Sequence, residues 1–174
     1  MIAVSNAGPL IWLGKCNLLH LLRQLYLEIA IPESVHKEAV IIGFEKGYEN
    51  AQIIKKALDE EWIKVYRVDK KFKEKVEAVE KRIGTELGLG EREALSLALE
   101  EKTPILLTND EDAYLVGKIL GLDPKGVLYV LLKGVKENHL TKKKAKKALN
   151  QMLQEGFWLS PLIVHKFYET LDLL

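Results

Sequence analysis

The sequence of 174 residues has little of what defines several classes of protein. Its single cysteine, Cys16, excludes an internal disulfide framework and a cysteine-rich zinc site. No uninterrupted apolar stretch approaches the roughly 18 residues that a membrane span needs. The N-terminus also lacks the basic and apolar regions of a signal peptide. We therefore expect a cytoplasmic protein with no membrane partner.

Neither sign of charge is in clear excess, since 26 lysines and arginines balance 25 aspartates and glutamates. This balance neither favours nor excludes nucleic acid as a partner. With 48% hydrophobic and 29% charged residues, the composition is that of a globular protein. We expect residues 1–174 to form one domain, with a helical extension from about residue 133 to 174. The basic residues are mostly lysine, as in many thermophile proteins.

Apolar patterns along the chain predict strands that alternate with helices. Short apolar or alternating runs predict strands at 2–4, 27–31, 63–68 and 104–108, with a last candidate at 127–132 that is partly helical. Helical spacing predicts helices from residue 10, at 18–25, after Pro32, and at 48–62, 70–87, 91–99, 113–121, 141–155 and 161–173. This alternation predicts an α/β fold with a mostly parallel central sheet and helices on both faces.

Polar side chains follow two of the predicted strands. Ser5 and Asn6 come after the first strand, and the segment 109–112 comes after the buried strand near residue 105. In parallel sheets, functional groups collect beyond the carboxyl ends of the strands. Each residue also has an ordinary role, because Asn6 and Asp110 are suitable helix caps. Likewise, Glu91 suits the positive end of a helix and Glu38 a solvated surface.

Taken together, these side chains suggest phosphodiester hydrolysis. That reaction needs an activated water and stabilisation of the charge that builds on the phosphate. Clustered carboxylates meet both needs by holding one or two hard divalent ions such as Mg²⁺ or Mn²⁺.

The order of these motifs resembles that of PIN-domain nucleases, and most closely the VapC-like branch. The resemblance covers about residues 2 to 132. It rests on four segments: Val4-Ser5-Asn6-Ala7-Gly8-Pro9-Leu10-Ile11, Ile31-Pro32 with Val35 and Glu38, Gly90-Glu91 with Ala94 and Ala98, and Leu107-Thr108-Asn109-Asp110. It implies a ribonuclease that uses Mg²⁺ or Mn²⁺, with RNA as substrate, a small antitoxin protein as partner and a homodimeric assembly.

The resemblance also implies roles for individual residues. Glu38, Glu91 and Asp110 correspond to catalytic acids that also bind the metal, with Asn6 as a neutral fourth ligand and Asp112 as an additional metal ligand. Asn6 stands where the family has its first aspartate. An amide oxygen still ligates Mg²⁺, but it carries no charge and cannot act as a base. The alternative is therefore a catalytically weakened PIN-like module that binds RNA or a protein. We expect the three carboxylates to converge on one open pocket with Asn6 at its edge.

Two further expectations concern surfaces. The segment 133–147 contains seven lysines and one glutamate, so Lys142, Lys143 and Lys146 are candidates for contacts with the RNA backbone. The ordinary interpretation is a solvated helix face. The segments 18–25 and 51–58 carry more apolar residues than a small monomer needs, which favours a homodimer.

Overall fold

The computed structural model describes all residues from Met1 to Leu174 and contains one sheet of five parallel strands. The spatial order is β3-β2-β1-β4-β5. The strands are β1 (Ile2–Ser5), β2 (Glu28–Pro32), β3 (Ile63–Tyr66), β4 (Ile105–Leu107) and β5 (Asp123–Lys125).

Helices connect these strands and follow the last of them. They are α1 (Ala7–Lys15), α2 (His20–Leu25), α3 (Glu33–His36), α4 (Gly43–Glu45), α5 (Glu49–Asp59), α6 (Lys70–Ile83), α7 (Leu89–Glu100), α8 (Glu111–Ile119), α9 (Val127–Lys136), α10 (Lys142–Gln154) and α11 (Pro161–Leu173). A π-helical segment, Lys37–Ile42, joins α3 to α4. No helix is long and apolar enough to cross a membrane.

Helices cover both faces of the sheet, which confirms the predicted fold class. One apolar cluster of 29 buried residues packs α1, α2, α9, α10 and α11 against one face. A second cluster of 13 buried residues includes apolar side chains of α6, α7 and α8. The helical extension belongs to the larger cluster, because Leu149, Met152, Phe167 and Leu171 are buried in it.

The prediction of a last strand at 127–132 is wrong, because this segment forms the start of α9. Its run of valines and leucines resembles a strand, but its buried residues recur at helical intervals: Val127, Val130, Leu131, Gly134 and Val135. The fifth strand is instead the three-residue β5, which holds Pro124 and gives little apolar signal. The helix predicted over 70–87 also ends earlier, at Ile83, because Gly84 adopts a left-handed conformation with φ of 73°.

The structure corrects the reason given for a homodimer. Most apolar residues of segments 18–25 and 51–58 face the protein core, including Leu18, Leu21, Leu22, Ile54 and Ala57. These side chains form part of the hydrophobic core, so the two segments do not provide the apolar surface on which the dimer prediction relied. The homodimer stays a prediction that rests on the family resemblance.

The strand order indicates that the carboxyl ends of β1 and β4 are suited to binding a ligand. The chain proceeds from β1 to β2 and β3 on one side, then crosses to β4 and β5 on the other. The order therefore reverses between β1 and β4, where ligands bind in open parallel sheets. The backbone N–H of Asn6 donates to Leu107 O at 3.1 Å, so the residues after β1 and β4 lie side by side.

Candidate active site

Asn6 lies at the carboxyl end of the central strand of the sheet. It follows β1 at the N-cap position of α1 and is only 2% exposed. Its side chain makes no capping hydrogen bond, so the ordinary role as a helix cap does not apply. Its amide Nδ2 donates to Glu91 Oε1 at 3.2 Å and to Thr108 Oγ1 at 2.9 Å. The other amide atom, Oδ1, is buried without a hydrogen-bond partner.

Glu91 reaches Asn6 from the first turn of α7. The partial positive charge at a helix N-terminus stabilises a carboxylate there. The loop before α7 is fixed by Glu80, a buried side chain of α6. Its carboxylate accepts from the backbone N–H of Leu87 at 2.8 Å and from Arg92 Nε at 2.7 Å and Nη2 at 2.9 Å. Glu80 therefore positions the end of α7 that carries Glu91.

Glu38 approaches the same helix end from the π-helical segment. Single π-helical turns often occur at functional sites. The Oε2 atom of Glu38 would lie only 3.2 Å from a Cβ atom at Gly90, so the glycine permits this close approach. Glu38 remains open to solvent on one side. Partial burial, and secondly the charge of Glu91, raise the pKa of the Glu38 carboxyl above its ordinary value.

Asp110 follows β4, the strand next to β1, and is exposed. It caps α8, since one carboxylate oxygen accepts from the backbone N–H of Ala113 at 2.7 Å. Its own N–H donates to Thr108 Oγ1 at 3.1 Å. Thr108 therefore bridges Asn6 and Asp110 through one hydroxyl oxygen. Its neighbour Asn109 accepts from the N–H of Val127 at 2.8 Å and fixes the start of α9 beside the site.

A comparison with known protein families identifies the family of this chain. The family model described as "DUF3368: PIN domain" matches residues 2–172. The chain belongs to the PIN-domain family. The predicted resemblance is confirmed, and the match extends through the C-terminal helices.

Solved structures support the PIN-like fold at low sequence identity. VapBC2 from Rickettsia felis, bound to a promoter DNA fragment, is 19% identical with a TM-score of 0.54. The alignment covers 72% of this chain and 98% of that chain. VapBC-1 from nontypeable Haemophilus influenzae is 16% identical with a TM-score of 0.55, covering 73% and 98%. No curated protein matches the chain.

The oxygen atoms of this PIN-domain site suit a hard divalent cation. Asn6 Oδ1 is a buried acceptor without a partner, and Glu91 contacts the same amide through Nδ2. Amide and carboxylate oxygens are the ligands that such cations prefer. In the arrangement described, no three His, Cys, Asp or Glu side chains lie close enough together to hold a metal ion. Instead, the amide of Asn6 links Glu91 to Thr108. Binding of a cation by all four residues therefore requires the carboxylates to move closer together.

The remaining candidates lie farther from this centre. Asp112 is exposed in the first turn of α8 and makes no hydrogen bond or ion pair. Lys142 and Lys146 contact Asp172, near the end of α11, at 3.0 and 2.9 Å. The opposite end of that helix begins after Ser160, which lines a groove together with Asp110. The helix is about 18 Å long, so Lys142 and Lys146 contact the end that is far from Asp110. Backbone contacts by Lys142, Lys143 and Lys146 stay a prediction.

We expect Glu38→Gln to raise the melting temperature of the metal-free protein slightly at neutral pH. Because the folded protein raises the pKa of Glu38, its stabilising contribution is present at acidic pH and lost as the carboxyl ionises. The neutral amide of the variant avoids both the partial burial of a charge and the repulsion from Glu91. The melting temperatures of wild type and variant, measured from pH 4 to 8, should become equal at the acidic end. A variant less stable than wild type at pH 8 would contradict this assignment.

Proposed function

We propose that the chain is a divalent-metal-dependent endoribonuclease whose centre consists of Asn6, Glu38, Glu91 and Asp110. The observation that carries the proposal is Asn6 at the carboxyl end of the sheet, whose buried Oδ1 has no partner and whose Nδ2 donates to Glu91. The family membership supports a nuclease, and the oxygen-only donor set supports Mg²⁺ or Mn²⁺.

The four residues have different tasks in this proposal. A bound divalent ion supplies charge stabilisation for the phosphate and lowers the pKa of water. Asn6 Oδ1, Glu91 and Asp110 would hold the ion. Thr108 holds Asn6 and Asp110 in position, because its hydroxyl oxygen accepts a hydrogen bond from each of them. Glu38 is the carboxylate best suited to accept a proton from the attacking water, because partial burial and the charge of Glu91 raise its pKa and so make it the stronger base.

A small antitoxin is the proposed protein partner. Both similar structures are named as VapBC proteins. Beside Glu38, three large apolar side chains are exposed at spacings of three and four residues: Ile41, Phe44 and Tyr48. Exposed apolar patches often mark protein interfaces. A small open reading frame next to this gene, and co-purification of its product, are the observations that test this role.

The second candidate function is a binding-only PIN module, and Asn6 is the observation that favours it. Its Nδ2 already satisfies Glu91 and Thr108, so the site is hydrogen-bonded without any cation. Such a module would bind RNA or a protein without cutting RNA.

Cleavage of RNA with Mn²⁺ or Mg²⁺ tests the leading proposal. We expect Glu91→Gln to reduce the cleavage rate at least about 10- to 100-fold, since even outer-shell partners of metal ligands have effects of this size. Glu74→Gln is the matched control, because Glu74 is an exposed acid of α6 in a surface pair with Lys70. It should cleave like wild type. Equal activity of both variants would contradict the proposed centre, whereas Mn²⁺ binding without cleavage would favour the binding-only module.

A further inference from the structure

A groove of about 390 Å³ includes Asp110 and Glu111 in its lining. Two distant parts of the chain form it: the β4–α8 and β5–α9 regions, and the segment from Phe157 to Ile163. The second part belongs to the helical extension, where residues 155–160 connect α10 to α11. The C-terminal part of the chain therefore contributes one wall of a groove that includes Asp110 of the candidate site.

Aromatic rings line this groove and are unusually open to solvent. Trp158 is 78% exposed, Tyr114 is 45% exposed and Tyr129 is 38% exposed. The neighbouring Phe157 differs, because its ring packs 5.1 Å from that of Trp12. Large aromatic side chains are usually more buried than this. Three exposed rings around one groove therefore indicate a surface for a ligand with flat, apolar faces.

Positive charge lies directly beside two of the rings. Lys125 Nζ is 4.7 Å from the centre of the Tyr129 ring, and Lys118 Nζ is 5.7 Å from that of Tyr114. Both lysines contact the same carboxylate, Asp123, at 2.8 and 3.2 Å. Two positive charges thus share one negative charge beside the rings, while Asp110 and Glu111 add two carboxylates to the groove lining itself. The positive charge is therefore local to the rings of Tyr114 and Tyr129 and is not the net charge of the groove.

We propose that this groove holds unpaired bases of the RNA next to the bond that is cut. The proposal rests on the proposed function. Aromatic rings that stack with bases, together with lysines that contact the phosphate backbone, are how proteins bind single-stranded nucleic acid. Trp158 and Tyr129 supply the stacking faces, Lys118 and Lys125 contact phosphates, and Asp110 in the groove lining connects the bound strand to the acidic centre. An apolar protein segment would use the rings but not the lysines, so the pairing favours RNA.

Binding of a fluorescent single-stranded RNA of about ten nucleotides tests the proposal. It is measured by anisotropy in the Glu91→Gln background, which slows cleavage. We expect Trp158→Ala to weaken binding about tenfold, as loss of one stacked base does, and Trp158→Phe to restore most of it. Leu173→Ala is the matched control, because Leu173 is an exposed apolar residue at the other end of α11. A duplex of the same sequence should bind equally to all these proteins.

The lysines give an independent measurement. Lys125→Gln should reduce the slope of log affinity against log salt concentration by about 0.7, the value for one contact with a single-stranded phosphate. Unchanged RNA affinity of Trp158→Ala, with an unchanged salt slope of Lys125→Gln, would overturn the groove proposal. If the protein with Glu91 intact still cleaved RNA in a metal-dependent way, the proposed function would stand and only the groove proposal would fail. A protein with Glu91 intact that binds RNA through Trp158 without cutting it would support the groove and contradict the nuclease.

Discussion

Replacing Asn6 with aspartate should lower the melting temperature of the metal-free protein by about 5 to 15 °C. The substitution removes one buried and one partly buried hydrogen-bond donation and puts a carboxylate about 3.2 Å from Glu91 Oε1. Lost bonds to a charged partner and repulsion at this distance together cost roughly 2–4 kcal/mol. For a chain of this length, each ~1 kcal/mol changes the melting temperature by about 2 to 4 °C.

Mn²⁺ should reverse this loss, because the added carboxylate becomes a charged ligand. We expect a larger Mn²⁺-induced rise in melting temperature for Asn6→Asp than for wild type, together with faster RNA cleavage. Asn50→Asp is the matched control, since Asn50 is also a buried asparagine but lies on α5 outside the site. It should lose stability without recovery on adding Mn²⁺. If Asn6→Asp melts at the same temperature as wild type, and Mn²⁺ does not change that temperature, the metal site is contradicted.

Replacing Glu80 with alanine should lower the free energy of unfolding by about 3 kcal/mol, the lower end of the range for breaking a buried ion pair. Glu80 is 4% exposed, and its loss leaves the partly buried guanidinium of Arg92 and the N–H of Leu87 without their acceptor. The arginine fork is bidentate, which is the strongest geometry for such a pair. Chemical denaturation measures this change directly.

The contribution of Glu80 should also depend on pH. Burial alone raises the pKa of Glu80, but hydrogen bonds from Arg92 and Leu87 outweigh it and lower the pKa below its ordinary value of 4.5. The stabilisation is therefore fully present above about pH 4.5 and lost as the pH falls further. Glu74→Ala, at the exposed pair with Lys70, should change stability by less than about 0.5 kcal/mol. A loss below about 1 kcal/mol for Glu80→Ala would show that the pair does not hold α7 in place.

The sequence predicts most of the fold because the pattern of apolar residues differs between its elements. β4 is a short buried run and β3 alternates at the sheet edge, so each has a recognisable signal. The segment at Val127 misleads because valine-rich runs suit both a strand and a buried helix. β5 is missed because three residues with a proline give no apolar pattern. Packing against the sheet decides these two cases.

The candidate site is predictable only in part. Asn6, Glu38, Glu91 and Asp110 follow from strand ends and the family resemblance. Thr108 is missed, because a threonine after a buried strand has no distinctive signal until its hydroxyl is seen between Asn6 and Asp110. Glycine spacing could have indicated Gly90, whose missing side chain lets Glu38 approach α7. The groove is unpredictable because Tyr129 and Trp158 meet only through tertiary packing.

The most direct measurement is an anomalous difference map from crystals soaked in Mn²⁺. The proposed centre predicts a peak about 2.0 to 2.5 Å from Asn6 Oδ1 and from oxygens of at least two of Glu38, Glu91 and Asp110. Such a peak would also show the carboxylates moving together around the ion. No peak at the carboxyl end of the sheet at millimolar Mn²⁺, or a peak only at other surface acids, would contradict the proposed metal centre.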